Sequence, residues 1–326
     1  MSRLGRAGRA IAVYGGTALA LLAGLFVVAW LTGRITSDRF QWSQWLLWIP
    51  TLSAVGAAAI GLIAALRPAK RPSRRRRRLL TWGVVVAALL VYLTAIEHKL
   101  WRPTGRDADG LRVVHWTITE SRSYHKGGEL ADELRRLDGD LTILTNVGGA
   151  AVSREVRAWL GAGLKPDRIG PFTVLTRDRI QALRWIVKAE GASIVYLELA
   201  PPPGFTAPLR ALLVDMPSNP RRPRMALARQ LRTMLDDADA PEVDMIVGDC
   251  NMTRGSAALR TLFPGFRDAF VNGAAGWIAT FPRERPIFHI DHVLLGPKLR
   301  STAYECAPTS FGRHRAQVAH VRGADG

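Results

Sequence analysis

The chain has 326 residues, 48% of them hydrophobic, with 45 Lys+Arg against 27 Asp+Glu and a formal net charge of +18. A balance this basic would suit a nucleic-acid binder, but residues 1–100 hold 14 basic and 2 acidic residues (+12) and residues 101–326 hold 31 and 25 (+6), so most of the excess flanks apolar segments, where Lys and Arg set topology or meet anionic lipid. The two cysteines, Cys250 and Cys306, form no CxxC or Cys/His cluster, which argues against a zinc site and reads as two small core residues more readily than as a disulfide.

Three apolar stretches come first, about 11–31, 45–66 and 79–96. At a rise of ~1.5 Å per residue each can cross a hydrocarbon core of roughly 30 Å, the third only just. Trp30, Trp42, Trp45, Trp82 and Trp101 lie near the ends, where indoles favour the interface. The first stretch exceeds a signal-peptide core and two more follow, so an uncleaved anchor is expected. Arg3, Arg6 and Arg9 precede the first span, and Arg67, Lys70, Arg71 and the run Arg74 to Arg78 separate the second from the third. The positive-inside rule places both segments in the cytoplasm, and three crossings then place everything after Trp101 outside it. The spans carry no acid, Lys or His, so an anchor in an inner or plasma membrane is expected and transport is not.

Residues 102–110 read as a linker and 111–323 as one domain. Strands are expected at Leu111–Thr117, Asp140–Val147, Phe172–Thr176, Ser193–Leu199, Leu209–Met216, Val243–Asp249, His289–Leu295, Thr302–Cys306 and Gln317–Val321. Helices are expected at Gly128–Leu137, after Ser153 to Leu160, and at Arg224–Leu235. Many strands with irregularly placed helices favour a layered α/β sandwich over a Rossmann sheet or barrel, and no GxGxxG or Walker loop appears. Arg221, Arg222 and Arg224 read as a solvated loop opening the third of these helices.

Four elements stand in order in the second half. Met245-Ile-Val-Gly-Asp-Cys-Asn251 is an apolar strand ending in GDxN. Thr280-Phe-Pro282, His289-Ile-Asp-His-Val-Leu-Leu295 and Phe311-Gly-Arg-His-Arg315 follow. GDxN, TFP, IDH and a terminal His at this spacing resemble the endonuclease/exonuclease/phosphatase superfamily across about residues 111–323. The anchor-plus-domain layout is similar to its membrane-bound members linked to glycopeptide resistance in actinobacteria. The resemblance implies a four-layer α/β sandwich, two facing β-sheets flanked by helices. It implies hydrolysis of phosphoesters, usually with Mg²⁺, in DNA, RNA, inositol phosphates or phospholipids, and fold does not choose among these.

Carried over by motif, Asp249 would orient or deprotonate the attacking water, and the Asn251 amide would bond a phosphoryl oxygen. His314 would stabilise charge on the transferred group, with Asp291 fixing its orientation and charge. Alone, Asp249 would read as a turn residue and His314 as a surface histidine. His292 should point to the strand face opposite Asp291, whereas His289, two residues before Asp291, should share its face and becomes a secondary substrate-binding candidate.

The metal side departs from the family pattern. Thr117 stands where an Asn is expected, Asn146 where the metal-ligand Glu is expected, and Arg313 where an Asp precedes the final His. Mg²⁺ is usually held by carboxylates, so Mg²⁺ or Mn²⁺ binding should be weak and Asn146 a degenerate metal position. Thr117 and Arg313 become substrate-binding candidates, Arg313 offering bidentate contacts to phosphate. Three readings follow: a phosphoesterase with a weakened metal side, a catalytically inactive relative that binds a phosphorylated ligand or protein, and a nuclease. The nuclease fares worst, because the domain is mildly basic and shows no aromatic–basic stripe. The expected partners are a lipid bilayer and a phosphorylated substrate, with nucleic acid not expected.

Overall fold

The computed structural model describes residues 3–67, 72–101, 110–119, 126–161, 164–273 and 276–324, with side chains described from residue 15 onward except at 272 and 273. The linker expected at 102–110 lies outside the described residues except for Gly110. The chain divides into two compact units, Met1–Trp101 and Arg102–Gly326.

The first unit holds α1 (Arg3–Thr36), α2 (Gln41–Leu47), α3 (Thr51–Ala65) and α4 (Pro72–Val91), the last continued by a π-helical turn, Tyr92–Glu97. Two segments, Gly15–Thr36 and Pro72–Glu97, are long and apolar enough to cross a bilayer. The stretch expected as one span at 45–66 is instead two helices bent by 73°, so a third crossing exists only if the pair counts as one. Pro50 explains the break: it lacks an amide hydrogen and disfavours helix at the preceding residue. Arg34 crosses to the break and donates to the carbonyls of Leu47 (2.9 Å) and Ile49 (3.1 Å), which the bend frees. The run Arg74 to Arg78, expected in a loop, forms the opening turns of α4. Apolar side chains face outward across this unit, for example Leu21 at 65%, Leu25 at 66% and Leu80 at 68% exposure.

In the second unit the strands are β1 (Leu111–Thr117), β2 (Leu141–Thr145), β3 (Asp167–Ile169), β4 (Phe172–Thr176), β5 (Ile180–Ala189), β6 (Ala192–Leu199), β7 (Leu209–Asp215), β8 (Met245–Asp249), β9 (Arg267–Asp268), β10 (Asp291–Leu295), β11 (Leu299–Ala307) and β12 (Ala316–Gly323). The helices are α5 (Gly127–Leu137), α6 (Arg154–Leu160), α7 (Arg224–Asp237), α8 (Ala257–Leu262) and α9 (Phe270–Gly273). One sheet runs β11-β12-β1-β2-β4-β3 and the other β5-β6-β7-β8-β10-β9. Between them lies a core of Val113, Ile143, Val195, Leu213, Val247, Val293 and their neighbours. α7 and α8 cover the outer face of the second sheet with Leu227, Leu231 and Leu262; α5 and α6 cover the first with Leu130, Leu134 and Val156. The result is the expected four-layer α/β sandwich.

The expected strands form, some a residue or two shorter or longer. Sequence reading missed β5, whose exposed and half-buried residues blur the alternation, and the short β3, β9, α8 and α9. The Ser153 hydroxyl caps α6 by accepting from the Val156 amide (3.2 Å). Arg224, expected in a solvated loop, is fully buried and donates to the carbonyls of Pro217 (2.7 Å) and Asn219 (3.3 Å). It thereby ties down the loop leaving β7. Arg222 pairs with Glu190.

Candidate active site

Adjacent strands of the second sheet end at one edge in acids. Asp215 closes β7, Asp249 closes β8 and Asp291 opens β10, and the strand registers place Asp215 opposite Asp249 and Asp249 opposite Asp291. Three carboxylates therefore stand in a row, spaced by the strand separation of roughly 4.8 Å. Gly248 makes the row attainable, because a Cβ there would lie 1.8 Å from the Val214 carbonyl oxygen on β7. Past the strand, Asn251 adopts a left-handed conformation (φ 47°) that Asn tolerates better than most residues. Its backbone amide donates to Asp249 Oδ1 (3.0 Å).

His314 enters from the loop before β12. Its Nδ1 lies 2.7 Å from Asp291 Oδ2 and donates to it, which leaves Nε2 for the site. Ligand atoms of Asp249, Asp291 and His314 all lie within 4.8 Å of one another. The His314 carbonyl accepts from Trp116 Nε1 (3.1 Å) and from the Thr309 hydroxyl (3.1 Å), and Phe281 of the Thr-Phe-Pro segment packs its ring 4.9 Å from the imidazole. The other sheet braces Asp291: Thr117 donates to Oδ1 (2.6 Å) and Gln317 Nε2 to the backbone carbonyl (2.7 Å). Gln317 is held by His115, whose Nδ1 is 3.2 Å from Gln317 Oε1 and whose Nε2 is 3.1 Å from the Thr145 hydroxyl. Burial keeps His115 below the ordinary imidazole range, which suits this neutral tautomer.

The electrostatics separate the three acids. Burial alone would raise Asp291, but the charge and hydrogen bond of His314, with help from His115 and Thr117, hold it well below the usual carboxylate range. Burial, then the charge of Asp291, push Asp249 well above that range, with Asp215 adding to the rise and His314 opposing it. Asp215 is pushed up to about 6, chiefly by burial, against a hydrogen bond from Asn146. Burial works against a charged His314, yet Asp291 and Asp249 together raise it above its ordinary value. Asp249 and His314 thus compete for a proton beside an ionised Asp291.

The structure brings Asp249, Asn251, Asp291 and His314 together and disposes the remaining candidates differently. The Asn251 side chain donates to the Met216 carbonyl (2.9 Å), so one of its two amide hydrogens is spent on the β7–β8 edge. Thr117 is fully buried with its hydroxyl spent on Asp291, so it braces the site and does not line it. Arg313 is exposed, with its guanidinium 5.7 Å from the Phe281 ring centre and its charge acting on His314. Asn146 sits just past β2 with a positive φ of 54° and donates to Asp215 Oδ2 (3.2 Å). His289 does not join Asp291. It lies before β10 begins, where strand alternation does not govern it, and it packs on His292 (ring centres 4.8 Å) beside Asp268. His292 does face away from Asp291, toward Asp268 (3.1 Å).

Sequence reading missed Asp215, although Leu209–Asp215 is an apolar strand ending in an acid just as Met245–Asp249 is. A hard divalent cation, which the motif resemblance implies, needs oxygen ligands. Both oxygens of Asp291 are engaged. Asp215 and the side-chain carbonyl of Asn146 remain beside Asp249, a donor set that fits Mg²⁺ or Mn²⁺ with few protein ligands. Both cysteines are free thiols; Cys250 is buried and Cys306 Sγ lies 2.9 Å from the Ile278 carbonyl.

No family model matches the chain, and no curated protein does. Solved structures do. A conserved protein of unknown function from Enterococcus faecalis V583 is 13% identical with a TM-score of 0.49, covering 65% of this chain and 100% of its own. The mannosyl-6-phosphatase Bt3783 of Bacteroides thetaiotaomicron VPI-5482 is 11% identical with a TM-score of 0.48, covering 65% and 99%. An endonuclease/exonuclease/phosphatase family protein from Bacteroides thetaiotaomicron is 12% identical with a TM-score of 0.48, covering 67% and 96%.

Proposed function

We propose that this chain is a membrane-anchored phosphoric ester hydrolase of the endonuclease/exonuclease/phosphatase type, acting outside the cytoplasm on a phosphorylated envelope substrate. The observation that carries this is the buried Asp249–His314–Asp291 arrangement, in which ligand atoms of all three groups lie within 4.8 Å. Asp249, whose proton affinity burial and the charge of Asp291 raise well above the usual carboxylate range, takes a proton from the attacking water. His314, held cationic and oriented by Asp291, stabilises the negative charge that grows on the phosphoryl oxygens. The second amide hydrogen of Asn251 and the guanidinium of Arg313 are the further donors offered to the phosphate. Thr117 and Gln317 hold Asp291 in place. Mg²⁺ or Mn²⁺ would be held by Asp215 and Asn146 and would supply charge neutralisation.

The location rests on counting the bent α2–α3 pair as one crossing. α3 alone is about 22 Å long, short of a core of roughly 30 Å, and α2, bent by 73° from it, adds little along its axis, so this crossing calls for local thinning of the bilayer. With three crossings and a cytoplasmic arginine run, the second unit lies outside; with two, it lies inside. Alkaline-phosphatase and green-fluorescent-protein fusions after Leu100 decide between them, and a fluorescent, phosphatase-inactive fusion would overturn the location. For the chemistry, the full-length protein in detergent is assayed on phosphomonoesters and phosphodiesters with EDTA, Mg²⁺ or Mn²⁺. Turnover lost in both Asp249→Asn and His314→Ala supports the proposal. Absence of turnover on every substrate would favour an inactive phosphate-binding relative.

A further inference from the structure

A second buried cluster stands apart from the phosphoester site. Asp268 of β9, His289 just before β10 and His292 of β10 have side chains 7%, 7% and 0% exposed. Asp268 Oδ2 lies 3.1 Å from His292 Nδ1 and 3.4 Å from His289 Nε2. Ligand atoms of the three residues lie within 4.8 Å of one another. His292 follows Asp291 directly but projects to the opposite face of β10, so the two clusters occupy opposite sides of one strand.

One feature of this cluster is unsatisfied by the protein's own side chains, and a second depends on the charge of His292. His292 Nε2 is 2.8 Å from the Met252 carbonyl, which can only accept, so the ring hydrogen sits on Nε2. In the neutral ring Nδ1 then presents a lone pair to the Asp268 carboxylate, whereas the imidazolium donates to both Asp268 and Met252. His289 is buried, yet among the described residues neither of its ring nitrogens has a hydrogen-bond partner. Leaving such groups unpaired costs about 1–3 kcal/mol each. Arg254 contributes positive charge nearby, acting on both Asp268 and His289, with its guanidinium 4.2 Å from the Phe270 ring centre. A cation among the three side chains would engage a ring nitrogen of His289 that is otherwise unpaired, accept the Nδ1 lone pair of neutral His292 and neutralise the carboxylate.

The spacing selects the metal class. Bonds of about 2.0–2.2 Å in tetrahedral geometry separate neighbouring ligand atoms by about 3.4 Å, close to the 3.1 and 3.4 Å seen around Asp268 Oδ2. Two imidazoles with one carboxylate favour Zn²⁺ and its neighbours over Mg²⁺ or Ca²⁺, which prefer all-oxygen sites. We propose that Asp268, His289 and His292 form a buried binding site for one divalent transition-metal ion of the zinc class, separate from the phosphoester site. The ion would fasten β9 and the approach to β10. Through the bond from His292 to Met252 it would also fasten the loop after Asn251. Its coordination by three side chains leaves a fourth position for water.

The test uses full-length protein in detergent, stripped with EDTA and dialysed against Zn²⁺ or Co²⁺. We expect one metal equivalent per chain by elemental analysis, and visible d–d absorption of four-coordinate Co²⁺. Loss of a supporting group beyond the ligands costs 10–100-fold in metal affinity. Loss of the ligand itself in His289→Ala should therefore weaken binding by at least about 100-fold. Asp268→Asn, close in shape, serves if His289→Ala fails to fold, with near-ultraviolet circular dichroism as the check. Asp249→Asn should bind Co²⁺ as the unchanged chain does. The proposal is overturned if the unchanged chain binds neither metal, if folded His289→Ala or Asp268→Asn binds as well as it, or if Asp249→Asn abolishes the Co²⁺ bands.

Discussion

Replacing Asp215 with asparagine should make the second unit more stable and less active. Asp215 is held at about 6 against an ordinary 3.8, chiefly by burial. The folded chain thus keeps its proton more tightly than the unfolded chain. A group raised in this way favours the folded state fully below about 3.8, and that contribution is lost as pH rises through about 6. Two units correspond to about 3 kcal/mol, the cost of keeping the charge at pH 7.5. Asparagine has nearly the same shape, carries no charge and can still accept from Asn146. Urea unfolding of residues 102–326, followed by tryptophan fluorescence, should show Asp215→Asn more stable by about 2–3 kcal/mol at pH 7.5, with the gain vanishing below pH 4. Asp249, which Asp215 helps to raise, should titrate lower in the variant and carry the acid limb of activity downward with it. A gain independent of pH, or none at pH 7.5, would refute burial as the source of the shift.

Further outcomes follow from the same geometry. Asp249→Asn and His314→Ala should each reduce turnover by about 10²–10⁴-fold. The pH profile of the unchanged chain should be bell-shaped, with its acid limb above the usual carboxylate range because Asp249 is raised. Its alkaline limb should lie above the ordinary imidazole value because His314 is raised. Arg224→Ala should destabilise the domain by about 2–4 kcal/mol, since the carbonyls of Pro217 and Asn219 lose a buried charged donor; thermal unfolding measures it. Asn146→Glu should tighten Mg²⁺ at least tenfold by calorimetry, since it adds a carboxylate beside Asp215. Sulfate, whose charge is constant over this range, should bind more tightly as pH falls through about 6 without Mg²⁺, and less steeply so when Mg²⁺ is present.

Short apolar runs were sufficient to locate the central strands β2, β8 and β10, because both faces of each are buried. β5 escaped since it lies at a sheet edge with exposed and half-buried residues interspersed. The Pro50 break was legible and was passed over because the flanking residues are apolar on both sides. At the site, Asp249, Asp291 and His314 could be read from ordered motifs. The roles of Thr117 and Arg224 could not, because each depends on what the side chain meets across 174 or 7 residues of chain. The misplacement of His289 has a similar cause: alternation was extended two residues beyond the point where β10 begins.

The charges at the site make sense only together with a ligand. Asp215, Asp249 and Asp291 face one imidazolium and one exposed guanidinium, so with every acid ionised the group carries −1 and would repel phosphate. The fold offsets this by raising Asp249 and Asp215, and protons on both carboxylates bring the group to +1. Catalysis asks for the opposite at Asp249, which must be free of its proton to accept one from water. A divalent cation at Asp215 and Asn146 resolves the conflict, since it would lower both acids while keeping the site attractive to an anion. A neutral Asn at position 146 weakens that cation's grip, and a proton on Asp215 takes its place only as pH falls below about 6.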